Sequence, residues 1–235
     1  MTEPVRVRPL TRTDVAVAAA LHARVLDMEF LVRYGPAFMR AYYRAWIEAP
    51  DAISLAAVDE QGELVGTLLG ATDTTSHMNA MVRRSGWRLA SRLALYAAGH
   101  PALAKDLIIT RGRRYLRGVA RLVTSRRHGA ATGGSTVERG PRIGEITHVL
   151  VRPERQGLGA GRVLVLAALE QGREAQLDEM VLVTPPDQDA RGFYERLGWI
   201  ADGDVTSRSG EDFVRYRYLL RRGDPPGGGG PPGLR

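Results

Sequence analysis

The chain has 235 residues, 44% of them hydrophobic, so it is long enough for one domain with a sizeable core. It contains no cysteine, which excludes disulfide bonds, thiolate metal sites and a cysteine nucleophile. Its net charge of +7 is concentrated between Thr75 and Arg142, where fourteen residues are basic and two are acidic. There is no signal-peptide pattern and no apolar run of about 18 residues, which predicts a cytoplasmic protein.

The first 73 residues predict strands and helices in alternation. Apolar and polar residues alternate over residues 5–10, as in a strand. Thr11 and Asp14 are expected to cap a helix over residues 15–25, and a second helix is expected after Gly35 and Pro36. Residues 52–58 and 64–70 favour two strands joined by a hairpin turn at 59–62.

The basic segment predicts two amphipathic helices between residues 76 and 122, with a break near residues 99–101. A stretch rich in Gly, Ala, Ser and Thr, residues 129–136, favours a mobile loop. The simplest interpretation is a lid on the core with solvated arginines. The arginines could instead contact phosphate groups of an anionic acceptor or of a cofactor, or a membrane surface peripherally. No DNA- or RNA-binding motif is present, so a nucleic-acid partner is not expected.

The remaining residues predict a strand over 143–151, a glycine-rich turn and a helix to about Glu174. A short buried strand over 180–184, a helix over 187–197 that ends at Gly198, and two strands near 199–205 and 212–219 follow. This order predicts an α/β protein with a mixed sheet covered by helices. We expect one domain over residues 1–222, with a helical insertion at about 75–142, and a disordered Pro/Gly-rich tail over 223–235.

The glycine-rich turn is the most informative motif. Gly157, Gly159 and Gly161 allow close backbone approach, and the free N–H groups of the next helix favour an anion such as a pyrophosphate. Such turns also occur for tight packing alone. The spacing is not that of a dinucleotide-binding fold, and the Gly-Lys-Ser/Thr end of a phosphate-binding P-loop is missing.

Gln156-x-x-Gly159-x-Gly161 resembles the acyl-CoA signature of the GNAT superfamily of N-acyltransferases. About thirty residues later, Phe193-Tyr194 within Ala190 to Trp199 resembles a second motif of that family. The resemblance covers residues 1–73 and 143–220. It implies a twisted sheet of six or seven strands and acetyl-CoA as the acyl donor, but it does not cover the helical insertion, which we expect after the third strand. The family commonly has asparagine where this chain has Asp187, which puts an amide contact to the pantetheine arm in doubt.

The resemblance also implies residue roles. The backbone of β-strand residues Val149, Leu150 and Val151 would pair with the pantetheine arm as an added strand does. Tyr194 would lie near the thioester sulfur. The pyrophosphate would be held by the turn and the first helical residues, namely Gln156, Gly157, Leu158, Gly159, Ala160, Gly161 and Arg162.

Acyl transfer to an amine requires a neutral amine, a stabilised oxyanion and a protonated leaving thiolate. A phenol has an ordinary pKa of about 10, so Tyr194 is the candidate general acid, and the N–H of Val149 is the candidate oxyanion donor. Glu145 is the candidate general base because it shares side-chain parity with Val149 in a strand without a bulge. His148, of opposite parity to Glu145, is the alternative base. An amine that arrives neutral would need no base.

The predicted function is acetylation of a small-molecule primary amine by direct transfer, with an amino sugar or nucleotide sugar as the leading acceptor. The main alternative is acetylation of a protein N-terminus or lysine. An alternative from another class is a non-catalytic acyl-CoA-binding or membrane-associated module. The spacing of the five histidines suggests no metal site. A monomer or a homodimer is expected.

Overall fold

The computed structural model describes residues 5–27, 29–100, 141–186, 188–206 and 212–220. This part of the chain forms a seven-stranded sheet, which confirms the predicted mixed α/β architecture. The strands are β1 (Arg6–Pro9), β2 (Ala52–Val58), β3 (Leu64–Ala71), β4 (Ile143–Val151), β5 (Glu179–Thr184), β6 (Ile200–Thr206) and β7 (Asp212–Leu219). Their order in the sheet is β1-β2-β3-β4-β5-β7-β6. Only β4 and β5 run parallel among these neighbours.

Helices cover both faces of the sheet. They are α1 (Val15–Val25), α2 (Gly35–Glu48), α3 (Thr74–Gly99), α4 (Ala160–Glu174) and α5 (Gln188–Arg196), with short 3-10 helices at Phe30–Tyr34 and Pro153–Arg155. One core cluster joins the sheet to α1, α2 and α3, and a second joins it to α4 and α5. No helix in the described ranges combines the length and apolarity needed to cross a bilayer.

The predicted capping of α1 is wrong. Asp14 occupies the N-cap position, but its side chain caps no helical N–H group. Its carboxylate accepts hydrogen bonds from the Arg8 guanidinium at 2.7 and 2.8 Å and from the backbone N–H of Thr11 at 2.8 Å. The Arg8 hydrogen bonds, helped by Thr11, hold the pKa of Asp14 well below its usual range. Asp14 therefore ties the start of α1 to β1 instead of capping the helix.

The insertion begins as one long helix, α3, which Asp73 caps by accepting a hydrogen bond from Ser76 N at 2.9 Å. The helix ends at Gly99, where the sequence predicts a break. Its predicted apolar face packs against the α1–α2 cluster through Met81, Leu89, Leu93 and Tyr96. The predicted second helix over 103–122, the loop at 129–136, Asp187 and the tail over 223–235 lie outside the described residues.

Replacing Gly70 with alanine should destabilise the sheet where β3 meets β4. A Cβ atom at Gly70 would lie 2.5 Å from the carbonyl oxygen of Glu145 and 3.3 Å from Cα of Ile146. Both are backbone atoms and cannot move without disturbing the ladder, so we expect a loss of about 1–3 kcal/mol in the free energy of unfolding. Urea unfolding measures it.

Gly86→Ala in α3 is the matched control. In the described part of the chain, the new Cβ there would meet only Val82 Cγ1, at an ordinary 3.5 Å. Alanine also favours helix over glycine by about 0.5–1 kcal/mol, so this variant should be as stable as the parent or more stable. Equal losses from both substitutions would contradict the close approach at Gly70.

Candidate active site

A β-bulge interrupts β4 at Thr147. Leu69 of β3 pairs with His148, whereas the next residue, Gly70, pairs with Ile146, so Thr147 has no partner in the ladder. The Thr147 hydroxyl donates a hydrogen bond to the carbonyl oxygen of Leu69 at 2.9 Å. A bulge of this kind shifts every later side chain to the opposite face of the strand.

The bulge overturns the parity on which the choice of Glu145 rested. Ile146 and Val149 both pack on the α4 side of the sheet, whereas Leu150 packs against α1 and α2. Because neighbours alternate, Glu145 lies on the opposite face from Ile146 and therefore also from Val149. Its carboxylate accepts a hydrogen bond from Thr74 Oγ1 at 3.0 Å, at the start of α3. Glu145 and His148 thus share a face, contrary to the expectation of opposite parity.

Strands β4 and β5 diverge in the second half of β4. Their parallel ladder runs from Ile143 to Ile146, which pairs with Leu182. Beyond it, β4 continues to Val151 paired only with β3, and β5 continues to Thr184 paired with β7. The split leaves backbone groups of β4 facing β5 without a strand partner in the described ladder. An extended ligand can occupy such an edge as an added strand does.

The glycine-rich turn leads from β4 to α4. Gly157 and Gly159 have φ angles of +78° and +91°, in the left-handed region that favours glycine. Gly159 is the N-cap of α4, and no side chain among the described residues caps the helix. The N–H groups of the first helical turn and the helix dipole together form a site for an anion. Gln156, Leu158 and Arg162, which the sequence places in this site, are exposed around it.

Ion pairs fix the residues before the turn. Glu154 accepts hydrogen bonds from the Arg24 guanidinium of α1 at 3.0 and 3.3 Å. Arg155 pairs with Asp59 of the β2–β3 hairpin at 3.5 Å. The turn is therefore held to elements on both sides of β4.

The two sequence motifs meet in the structure. A Cβ atom at Gly161 would lie 3.4 Å from the Phe193 ring, so α5 packs directly on the first turn of α4. Tyr194 is 9% exposed, and its ring packs against Trp199 with 5.9 Å between ring centroids. The side chain of Val149 packs against the same core cluster. Tyr194 thus lies on the α4 side of the β4–β5 split.

A buried hydrogen-bonded cluster lies on the other face of β4. Nε2 of His148 is 3.3 Å from one carboxylate oxygen of Glu29, in the connection between α1 and α2. The other oxygen of Glu29 bonds to Nε2 of His22, and Nδ1 of His22 is 3.0 Å from the Tyr43 hydroxyl. Sequence reasoning missed Glu29, His22 and Tyr43. No local signal marks them, because Glu29 and His148 are 119 positions apart.

The donor and acceptor capacities of the side chains determine where the protons lie in this cluster. A carboxylate only accepts, so both imidazoles donate their Nε2–H groups to Glu29. Nδ1 of neutral His148 then carries the lone pair, 3.2 Å from Thr147 Oγ1. Once protonated, Nδ1 can donate to Thr147 while Thr147 donates to Leu69. Because its own proton is used on Leu69, the Thr147 hydroxyl can act towards Nδ1 of His148 only as an acceptor.

Glu29 is ionised in this cluster. Burial by itself raises the pKa of its carboxyl, but hydrogen bonds from His148 and His22 outweigh burial and lower the pKa to about 2. A negative charge therefore lies beside Nε2 of His148, 3.3 Å away.

Replacing Glu29 with glutamine should reduce the stability of the protein in a pH-dependent way. A carboxyl with a lowered pKa stabilises the fold fully above its ordinary pKa of 4.5, and that contribution is lost as the pH falls toward about 2. The gap in unfolding free energy between parent and Glu29→Gln should therefore be largest near neutral pH and shrink below pH 4.5. Urea unfolding from about pH 3 to 7 measures it. Glu170→Gln, at an exposed pair with Arg173, should show no such trend. A pH-independent gap for Glu29→Gln would contradict the assignment.

The same three side chains are also a possible ligand set for a metal ion. The ligand atoms of His22, Glu29 and His148 lie within 4.8 Å of one another. The spacing of the histidines along the chain does not indicate this cluster. In the structure, each imidazole faces its own carboxylate oxygen, which is the arrangement of a hydrogen-bonded chain.

Comparisons with known proteins agree with this geometry. The family model described as "Acetyltransferase (GNAT) family" matches residues 22–199. An uncharacterized N-acetyltransferase, ycf52, from Pyropia yezoensis is 37% identical over 59 residues, which are 25% of this chain and 33% of that protein. The Porphyra purpurea protein of the same name matches equally. The match thus spans about a third of the length of these relatives.

Two solved structures share the fold. A mutant form of the spermidine N-acetyltransferase SpeG from Vibrio cholerae has a TM-score of 0.56 and 14% identity, covering 92% of this chain and 94% of that one. Ard1 from Thermoplasma volcanium has a TM-score of 0.52 and 13% identity, covering 93% and 99%. The split between β4 and β5 and the glycine turn agree with the family match. The chain belongs to the acetyltransferase (GNAT) family.

Proposed function

We propose that the chain is an N-acetyltransferase that moves an acetyl group from acetyl-CoA directly to the primary amine of a small molecule. One observation carries this proposal. A phenol and a carboxylate-bound imidazole lie on opposite sides of the same strand split, which begins where the β4–β5 ladder ends. Direct transfer needs an acid and a base at the two sides of one carbonyl carbon, and this arrangement offers both.

The described residues fit acetyl-CoA as the donor. The uncapped first turn of α4 and the left-handed glycines before it suit a pyrophosphate. The unpaired edge of β4 at Val149, Leu150 and Val151 suits an extended amide-containing arm. Acetyl-CoA supplies an activated acyl thioester when it is bound there.

Each residue then has a defined task. Nδ1 of His148 accepts the proton of the attacking amine, and Glu29 stabilises the resulting imidazolium. The backbone N–H of Val149 stabilises the negative charge that develops on the carbonyl oxygen. Tyr194 donates its phenolic proton to the departing thiolate. Glu145, the first candidate base from the sequence, lies in the paired part of β4, and its carboxylate is hydrogen-bonded to Thr74. We therefore assign the role of general base to His148 instead.

The acceptor that this site favours is a small amine that carries positive charge in solution. The side chains of Glu29 and His148 are only 26% and 14% exposed, which suits a small molecule better than a protein segment. The Glu29 carboxylate attracts an ammonium group and repels phosphate. We therefore expect polyamines and amino sugars to be better acceptors than nucleotide sugars. The cytoplasmic location, the domain limits and a monomeric or dimeric state stay predictions.

An amine panel tests this function. Purified protein is mixed with acetyl-CoA and with polyamines, amino sugars, a nucleotide-linked amino sugar or peptides, and free thiol release is recorded. We expect release with a small cationic amine and intersecting lines in double-reciprocal plots, because both substrates must be bound at once. A peptide as the best substrate would favour the protein acetyltransferase alternative. CoA binding without release for any amine would favour a non-catalytic acyl-CoA-binding module.

A further inference from the structure

A second concave site lies between α1, α2 and α3, away from the glycine turn. It is a cavity of about 600 Å³ lined by parts of all three helices. It uses a different face of α2 from the one that carries Tyr43, and α4 with its turn lies on the opposite side of the sheet. Small side chains line much of it, namely Ala16, Ala37, Ala41, Ala45, Ser85 and Ser91. Five arginines surround them, namely Arg12, Arg40, Arg44, Arg88 and Arg92.

The charge of this cavity is poorly compensated. Among the residues that the structure describes, Glu48 is the one acidic residue in its lining, and it pairs with Arg12 at 2.7 Å. The other four arginines are exposed and form no salt bridge with any residue in the described ranges. The sequence that follows α3 is itself basic, because residues 101–140 contain nine basic residues and only two acidic ones. A concave surface lined by one sign of charge concentrates ions of the opposite sign.

The volume of the cavity and an exposed aromatic ring in its lining indicate which type of anion it suits. A volume of about 600 Å³ lies within the range of small-molecule sites. Arginine guanidinium groups bind phosphate oxygens in a bidentate manner. Trp87 in the lining is 68% exposed, with the Arg88 guanidinium 5.4 Å from the centroid of its ring. An exposed indole can stack on a planar base. A membrane surface or a nucleic-acid duplex would contact a protruding surface more readily than this concave one.

We propose that this cavity binds a small phosphorylated molecule with an aromatic base, of the nucleoside polyphosphate class. Its phosphates contact the arginines of α2 and α3, and its base contacts Trp87. The site is separate from the acetyl-CoA turn, so this inference does not depend on the proposed acetyl transfer.

Titration of the full-length protein with ATP and with tripolyphosphate tests the proposal. Calorimetry and tryptophan fluorescence detect the binding. Trp46 and Trp199 are 2% and 3% exposed, so a change in the exposed signal reports on Trp87. We expect saturable ATP binding that is tighter than tripolyphosphate binding. Arg40→Ala/Arg44→Ala and Arg88→Ala/Arg92→Ala should each weaken it about tenfold or more, because charge-assisted hydrogen bonds are lost.

Two controls keep the result specific. Arg173→Ala on α4, at an exposed pair with Glu170, should leave ATP binding unchanged. Trp87→Phe should remove the fluorescence change while calorimetry still detects ATP. CoA affinity should be the same in all variants, which separates this site from the glycine turn.

Three titration results would overturn the proposal. They are no saturable binding of ATP, binding that the double arginine variants leave unchanged, and binding that CoA fully displaces with one shared affinity. Binding to vesicles of anionic lipid, or to RNA, without competition from ATP would also overturn it and would point to a macromolecular partner of this surface.

Discussion

Replacing His148 with glutamine should lower kcat about 10²- to 10⁴-fold, the usual contribution of a general base. Glutamine keeps a hydrogen-bonding side chain at this position but cannot take up a proton. The KM for acetyl-CoA should change little, because His148 lies on the opposite face of β4 from α4 and its turn. The acidic limb of the pH profile of kcat/KM should flatten in the variant. Steady-state thiol release measures all three quantities.

Glu145→Gln is the matched control for this prediction. Glu145 and His148 lie on the same face of β4, but Glu145 hydrogen-bonds to Thr74 at 3.0 Å within the paired part of the strand. Its replacement should therefore affect activity far less. If Glu145→Gln abolished turnover while His148→Gln remained active, the base would be the carboxylate that the sequence first indicated. Activity that a chelator removes and a divalent metal restores would instead favour a metal at Glu29.

Replacing Tyr194 with phenylalanine should lower kcat about 10²-fold or more and leave CoA affinity unchanged. The aromatic ring keeps its packing against Trp199 and Tyr216, so the substitution removes the phenolic hydroxyl and preserves the ring contacts. Without that proton the departing thiolate is not neutralised. The effect should shrink with an acyl donor whose leaving group has a lower pKa, because such a group leaves without a proton.

Tyr218→Phe is the control for Tyr194→Phe. Tyr218 packs on Trp199 from β7, with 5.6 Å between the ring centroids, and it belongs to the same aromatic neighbourhood. Unchanged kinetics in Tyr218→Phe would show that the loss of a nearby hydroxyl is not enough to lower kcat. Full activity in Tyr194→Phe would remove Tyr194 from the proposed acid role.

Local patterns in the sequence predicted most of the fold. Strand alternation and helical periodicity placed seven strands and the flanking helices within one or two residues of their observed ends. The glycine turn was predictable because positive φ angles and an uncapped helix start are local properties. The packing of Phe193 on Gly161 follows from two motifs that the sequence shows separately.

The chemistry on the other face of β4 was not predictable from local patterns. The bulge at Thr147 leaves no mark on the alternation of Ile143–Val151, yet it decides which face each side chain occupies. The contact of Glu29 with His148 depends on how the α1–α2 connection folds over the sheet. The arginine cavity likewise combines residues of three helices that are distant in the sequence. Such features are set by tertiary packing.

The affinity of CoA for Gly159→Ala, compared with that for Gly62→Ala, tests whether the turn before α4 holds the pyrophosphate of acetyl-CoA. Both glycines have positive φ angles, +91° and +83°, and a Cβ atom at either would meet no heavy atom of the described residues within 4 Å. Each substitution therefore introduces similar backbone strain, about 1–2 kcal/mol. If the turn at Gly159 holds the pyrophosphate of acetyl-CoA, calorimetry should show CoA binding weakened about tenfold in Gly159→Ala, because the strained turn must be restored on binding. Gly62→Ala should bind CoA as the parent does. Equal CoA affinity in both variants and the parent would contradict the account.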